Sequence, residues 1–92
     1  MRLAWDKEQW LLNILELNRA CFSGVRASDE KLTRLVNQGE VFITRTSLDE
    51  LTGFAICEQF VPDEARIVII AVNEAWRRQG IAQYLMDEVV EF

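Results

Sequence analysis

The sequence predicts one α/β domain of the α+β kind: a mostly antiparallel sheet flanked by helices. Two changes of hydrophobic period carry that prediction. Before Val41 the apolar residues recur at helical spacing, from Val41 to Val72 they gather in β-branched and aromatic runs, and after Gly80 the helical spacing returns. The third observation is size. The chain has 92 residues, one domain or less, and a chain that short buries only about 60–65% of its unfolded surface.

Each element follows from local chemistry. Arg2 to Trp5 reads as a short first strand. Asp6 followed by Gln9 has the spacing of a capping box, and Trp10, Leu11, Ile14, Leu17 and Cys21 mark the buried face of a helix over residues 6–20. Phe22 to Ala27 is a loop. Ser28 caps a second helix over 28–38, with Asp29 and Glu30 in the first turn, where negative charge suits the dipole. Leu32, Leu35 and Val36 are its buried face, and Gly39 is placed just past its end. Val41 to Thr46 is a strand, Ser47 to Glu50 a turn, and Leu51 to Phe60 a second strand with Gly53 as a bulge. Pro62-Asp63 turns the chain into Glu64 to Val72, whose Ile-Val-Ile-Ile centre suggests burial on both faces. These three strands form an antiparallel meander. A last helix starts near Gly80 and carries Ile81, Leu85, Val89 and Phe92 on one face. It stops in mid-pattern with no capping glycine, so residues 1–92 read as a single incomplete domain, the front portion of a larger fold truncated after its third helix.

Composition removes several functions. Half the residues are hydrophobic and 27% charged, which argues for a packed core. Fifteen acidic residues against ten basic ones give a net charge of −5, so a basic footprint for nucleic acid is absent. There is no histidine, which excludes a Ser-His-Asp triad, a Cys-His pair or an imidazole-bound metal within these residues. No metal is expected. Cys21 and Cys57 are too far apart for a CxxC motif and read as reduced packing residues. The apolar run Ile67 to Val72 is too short for a bilayer, and Met1 to Asp6 holds no signal-peptide core. A cytoplasmic protein with no membrane partner is the expectation. Trp5, Trp10 and Trp76 read as core or loop anchors, Tyr84 as a packing residue, and Asp87, Glu88 and Glu91 as a solvated face.

The stretch from Ile69 to Ala82 carries the chemistry. An apolar strand enters a short loop, Asn73-Glu74-Ala75-Trp76-Arg77-Arg78-Gln79-Gly80, which opens a helix. A helix N-terminus offers unpaired N–H groups and the positive end of the dipole. Glycine admits a bulky anion to the backbone, small Ala82 leaves the first turn open, and Arg77 and Arg78 add charge. Together these suit a phosphate or pyrophosphate. The pattern is neither a Walker A loop nor a dinucleotide fingerprint, since GK[S/T] and GxGxxG are both missing. The plain alternative is that both arginines are solvated and Gly80 merely turns the chain.

Arg77-Arg78-Gln79-Gly80-Ile81-Ala82 resembles the R/Q-x-x-G-x-G/A motif of the GNAT superfamily of N-acetyltransferases. The element order also resembles that family's front half. The resemblance implies acetyl-CoA as co-substrate and an acetyltransferase passing the acetyl group to a primary amine by direct attack in a ternary complex. The backbone amides of Arg78, Gly80 and Ala82, with those of Gln79, Ile81 and Gln83 nearby, would cradle the pyrophosphate, and Arg77 would add charge. The backbone at Ala71 and Val72 would pair with the pantetheine arm, beside a bulge that splays the strand from the next. The Val72 N–H would polarise the thioester carbonyl.

Three departures from the family pattern stand out. Arg66 occupies the position of a common glutamate base, leaving Glu58 or Glu64 as base candidates. Ala82 stands where glycine is common. The family's later strands, its fourth helix and its acid tyrosine have no counterpart in these residues. The competing expectation is a non-catalytic interaction module that completes its sheet with a partner chain. Either way the chain is expected to self-associate or to belong to a longer polypeptide. The acceptor, a small molecule or a protein amine, is not legible in these residues.

Overall fold

The computed structural model describes residues 1–4, 6–22, 28–61 and 64–91. The chain runs β1 (Arg2–Leu3), α1 (Lys7–Cys21), α2 (Asp29–Gln38), β2 (Glu40–Arg45), β3 (Leu51–Val61), β4 (Glu64–Val72), a 3-10 turn (Glu74–Trp76) and α3 (Ile81–Glu91). The four strands form one sheet in chain order, every neighbouring pair antiparallel. The α+β architecture and the meander agree with the sequence reading. Trp5, the loop at 23–27, the Pro62-Asp63 turn and Phe92 lie outside the described residues.

The sheet separates two cores. On one face, Trp10, Ile14 and Leu17 of α1 and Leu32, Leu35 and Val36 of α2 pack on Val41, Ile43, Phe54 and Ile56. On the other, Leu85 and Val89 of α3 cover Phe42, Ala55 and Cys57, with Ile81 packed alongside. Cys57 is fully buried, and both cysteines are free. Burial, with a smaller contribution from Glu40, pushes the Cys57 thiol above its ordinary pKa.

The β4 strand shows what the apolar run does. Ile67 and Ile70 join the α3 core, while Val68 and Ile69 join the α1–α2 core. Both faces are therefore covered, as expected, yet these four residues are only half-buried. Among the described residues β4 is an outer strand, paired with β3 alone.

Local details depart from the sequence reading. The capping box does not form: Asp6 makes no side-chain cap bond, and its Oδ1 accepts from the Ala4 amide at 3.2 Å instead. Ser28 does cap α2, its Oγ accepting from the Lys31 amide at 3.2 Å. Gly39 ends α2 with φ −95°, so it is not a left-handed cap. Its role is closeness, since a Cβ there would stand 2.8 Å from the Cys57 carbonyl oxygen and 2.9 Å from that of Leu35. The bulge assigned to Gly53 falls one residue earlier. Thr44 pairs with Gly53 and Arg45 with Leu51, which leaves Thr52 as the extra residue. Thr52 is buried, and its Oγ1 donates to Thr44 Oγ1 at 2.8 Å. Gly53 instead lets α3 approach the sheet, for a Cβ there would meet Ile81 Cγ2 and the Ala71 carbonyl at 3.1 Å.

Tyr84 is not a packing residue, being 52% exposed. It hydrogen-bonds Glu88, whose carboxylate also takes the Met1 ammonium at 2.7 Å. Burial alone would raise the Glu88 carboxyl, but these two hydrogen bonds and the charge of the Met1 ammonium together outweigh it and hold it below the usual range.

Candidate functional site

The site is built from the exit of β4, the loop after it and the first turn of α3. The Asn73 amide donates to the Thr52 carbonyl at 2.8 Å, so that pair is a hydrogen-bonded one. Antiparallel pairs alternate between bonded and non-bonded. Gly53–Val72 is then non-bonded, Phe54–Ala71 bonded and Ala55–Ile70 non-bonded. The N–H and C=O groups of Ile70 and Val72 thus point to the open edge of β4, whereas those of Ala71 are turned to β3. The alternation separates Ala71 from Val72, which the sequence reading placed together, and brings in Ile70, which it missed.

An irregularity in the β3–β4 ladder lies just upstream. Ile56 pairs with Ile69 and Cys57 with Ile67, which leaves Val68 as an extra residue. Such an insertion bends a strand and disrupts its pairing, so the open edge changes direction shortly before Ile70.

Beyond Val72 the chain is held in a compact loop. Asn73 Oδ1 accepts from the Ala75 amide at 3.0 Å and starts the 3-10 turn. The turn closes with the Trp76 amide on the Asn73 carbonyl at 2.8 Å and the Arg77 amide on the Glu74 carbonyl at 3.3 Å. The Arg77 side chain turns back, its Nε donating to the Val72 carbonyl at 3.2 Å. Cys21, the last residue of α1, donates its thiol to the same oxygen at 3.3 Å.

Arg78 and Gly80 both adopt left-handed backbone, with φ of 66° and 77°. The loop therefore turns sharply twice within three residues before α3 begins. The Tyr84 amide donates to the Gly80 carbonyl at 2.9 Å, the first bond of the helix. The amides of Ile81, Ala82 and Gln83 come before it and have no intrahelical acceptor. Residues 77–80 and Ala82 are exposed, and a Cβ at Gly80 would meet nothing within 4 Å. The positive end of the α3 dipole, three amides, an open glycine and an exposed Arg78 thus lie together at one exposed corner, an arrangement that suits a phosphate group. The Gln83 side chain donates to Asp87 Oδ1 at 2.8 Å, so its backbone is its contribution to this corner.

A non-glycine residue in left-handed backbone carries strain. Arg78→Gly should therefore raise stability by up to about 1 kcal/mol, after the entropy that glycine adds to the unfolded chain is subtracted. Thermal melts of the two proteins check this, and an unchanged or lower melting temperature would contradict it.

The base candidates are less concentrated. Glu58 pairs directly with Arg66 across β3 and β4, with Arg66 Nη2 3.9 Å from Glu58 Oε2. Strand alternation puts both on the sheet face that carries α1 and α2, opposite Cys57 on the α3 face. Glu64 is the first residue of β4, eight positions before Val72, and the placement of its side chain lies outside the described set. On the α1 side of the sheet end, a cleft of about 360 Å³ is lined by Asn13 and Glu16 of α1, Asp49 and Glu50 of the β2–β3 turn, and Asn73.

Comparison with known proteins adds to this geometry. The family model described as Acetyltransferase (GNAT) family matches residues 11–92. No curated protein matches the chain significantly. Among solved structures, the ribosomal-protein-S18-alanine N-acetyltransferase from Escherichia coli is similar, with a TM-score of 0.78 and 22% identity. That match covers 99% of this chain and 58% of the other. An IAA acetyltransferase from Bacillus cereus gives a TM-score of 0.73 at 21% identity, covering 99% and 54%. A GNAT family acetyltransferase from Elizabethkingia anophelis with acetyl-CoA bound gives 0.66 at 22%, covering 83% and 46%. At these identities the likeness is one of fold, and the chain spans about half the length of these three structures.

Proposed function

The chain belongs to the acetyltransferase (GNAT) family, and from that premise we propose that it binds acetyl-CoA along the open edge of β4 and at the start of α3. The single observation that carries this reading is the meeting of a β4 edge that no other strand among the described residues covers with a left-handed loop and a helix N-terminus on one continuous stretch, residues 70–83. The amides of Ile81, Ala82 and Gln83, with those of Arg78, Gln79 and Gly80, hold the pyrophosphate. Gly80 leaves room for it, and Arg78 adds charge. Ile70 and Val72 face the pantetheine arm as a neighbouring strand would. Ala71 contributes by closing the ladder to Phe54 behind them.

Acetyl-CoA supplies an activated acetyl group, and the acceptor is a primary amine. The chain's own contribution is to position the thioester and to present an edge N–H, that of Val72, to the carbonyl oxygen. Glu58 stands on the α1–α2 face as the base candidate of best-defined position, and Glu64 is the other. The net charge of −5, with Glu16, Asp49 and Glu50 in the cleft beside Asn73, favours a cationic acceptor. No helix among the described residues is long and apolar enough to cross a membrane, and two free cysteines suit a reducing compartment such as the cytoplasm.

The second reading rests on the half-buried β4 edge. In it, the 92 residues form a non-catalytic interaction module whose sheet is completed by a strand from a partner chain, such as a second copy. Calorimetric titration with acetyl-CoA, together with a mass measurement in solution, separates the two. The acetyl-CoA reading expects saturable one-site binding. A dimer that takes up no acetyl-CoA would favour the module.

A further inference from the structure

The geometry points to Arg77 as a strut: its Nε–H, donated to the Val72 carbonyl, positions the exit of β4 against the loop that opens α3, and this hydrogen bond, not guanidinium charge, is what the first motif position contributes to CoA binding. The inference rests on the acetyl-CoA reading above and concerns how the same site is held.

Three observations lead to it. First, Arg77 is tied inward at both ends. Its amide donates to Glu74 and its Nε to Val72, which closes the loop upon itself. Second, the carbonyl it reaches lies on the open edge of β4 and receives a second donor, the Cys21 thiol, from α1. A carbonyl has two lone pairs, and both are used. The Val72 carbonyl is thus satisfied from within, and at this residue only the N–H is offered outward. Loop, strand and the end of α1 meet at one oxygen, so the position of that N–H relative to the phosphate corner is set by this contact.

Third, atom counting explains why the motif accepts arginine or glutamine. In arginine Nε follows Cβ, Cγ and Cδ. In glutamine Nε2 follows the same three carbons. Either side chain can place an N–H at the same distance from the backbone, with charge in one case and without it in the other. Lysine keeps the charge but has a methylene at that position, its donor one bond further out. A phosphate clamp would therefore rank lysine above glutamine, and a strut ranks glutamine above lysine.

The experiment is a series at position 77 in the 92-residue chain, read by calorimetry with CoA at two salt concentrations. Arg77→Ala should weaken binding about tenfold, the size of one hydrogen bond to a charged donor. Arg77→Gln should restore affinity to within about threefold of the parent, with the parent's salt dependence, and Arg77→Lys should behave like the alanine variant. Lysine rescuing and glutamine failing would overturn the strut. A second readout needs no ligand. The Val72 carbonyl-carbon resonance of the labelled chain should stay in place in Arg77→Gln and move in Arg77→Ala and Arg77→Lys. The same resonance in all four proteins would overturn the proposal. If the parent chain binds no CoA, the acetyl-CoA reading fails, and the carbonyl resonance alone then decides the strut.

Discussion

Gly80→Val should abolish CoA binding while leaving the sheet and both cores folded. The position combines two properties that few residues satisfy together. Its φ of 77° lies in the left-handed region, and the space where a Cβ would stand is open. A β-carbon therefore meets no protein atom within 4 Å, so the first atom of the valine side chain causes no collision. Valine pays instead in conformation, by about 1–2 kcal/mol for left-handed backbone, with more added by the branched β-carbon. A loop that relaxes from that conformation also turns the Ile81, Ala82 and Gln83 amides away from a shared ligand, and the new side chain occupies the corner itself. The loss of affinity should exceed about a hundredfold, because several charge-assisted contacts of roughly 1.5–3 kcal/mol each are lost together. Gly80→Asn separates the two causes, since asparagine tolerates left-handed backbone but still fills the corner. Calorimetry with CoA and circular dichroism of each variant check the prediction. An affinity within threefold of the parent in Gly80→Val would show that the corner is not where CoA binds. Gly80→Val should also hurt more than Arg77→Ala, because the backbone donors survive the arginine change.

The sequence made the elements legible and left their registers hidden. The strands at Glu40–Arg45, Leu51–Val61 and Glu64–Val72 and the helix at Ile81–Glu91 fall within one or two residues of the positions that periodicity assigns. Those signals come from side chains, and side chains carry the 3.6- and 2-residue periods. The direction of a backbone N–H is different. Whether Ala71 or Ile70 offers its amide to the open edge depends on which residue of β3 lies opposite, and that pairing is shifted by an extra residue at Val68, as the pairing of β2 with β3 is by one at Thr52. Neither position announces itself, because a buried threonine and a valine in an apolar run are ordinary strand residues. The sharp loop and helix start at Arg77 to Ala82 were legible for the opposite reason. Their glycine, their arginines and their place after a strand are all local. That Arg77 turns back to Val72 was not legible, since an arginine five residues past a strand end reads as a solvated charge. The Asp6 and Gln9 spacing misled because a capping box needs the residue's backbone to be extended, and Asp6 has φ −98° and ψ 20°.

Gly39→Val should be among the most destabilising single changes in the chain, and for a reason unlike that at Gly80. A glycine after a helix suggests a left-handed cap, where asparagine is the usual substitute. Here φ is −95° and ψ −178°, a conformation open to any residue. What excludes a side chain is the backbone around it. The Cys57 and Leu35 carbonyl oxygens stand 2.8 and 2.9 Å from the Cβ position, with Ile56 Cγ2 at 3.1 Å. Two of these neighbours are main chain, one in β3 and one in α2, so neither can swing aside. The Gly39 carbonyl also accepts from Lys7 Nζ at 2.6 Å, which ties the start of α1 to the same point. Relief requires moving a helix end away from the sheet that it feeds. Overpacking of this kind costs about 1–3 kcal/mol and sometimes more, so Gly39→Ala should lower stability by about 2–3 kcal/mol and valine by more. For a domain of this size that is a fall in melting temperature of about 10–20 °C for alanine. Against a total of about 5–15 kcal/mol, the valine variant approaches the limit of folding. Gly39→Asn decides between the explanations. A left-handed cap would accept asparagine almost without loss, whereas close packing makes it at least as costly as alanine. Urea midpoints for the three variants give the order, and an asparagine variant as stable as the parent would return Gly39 to the role of a cap.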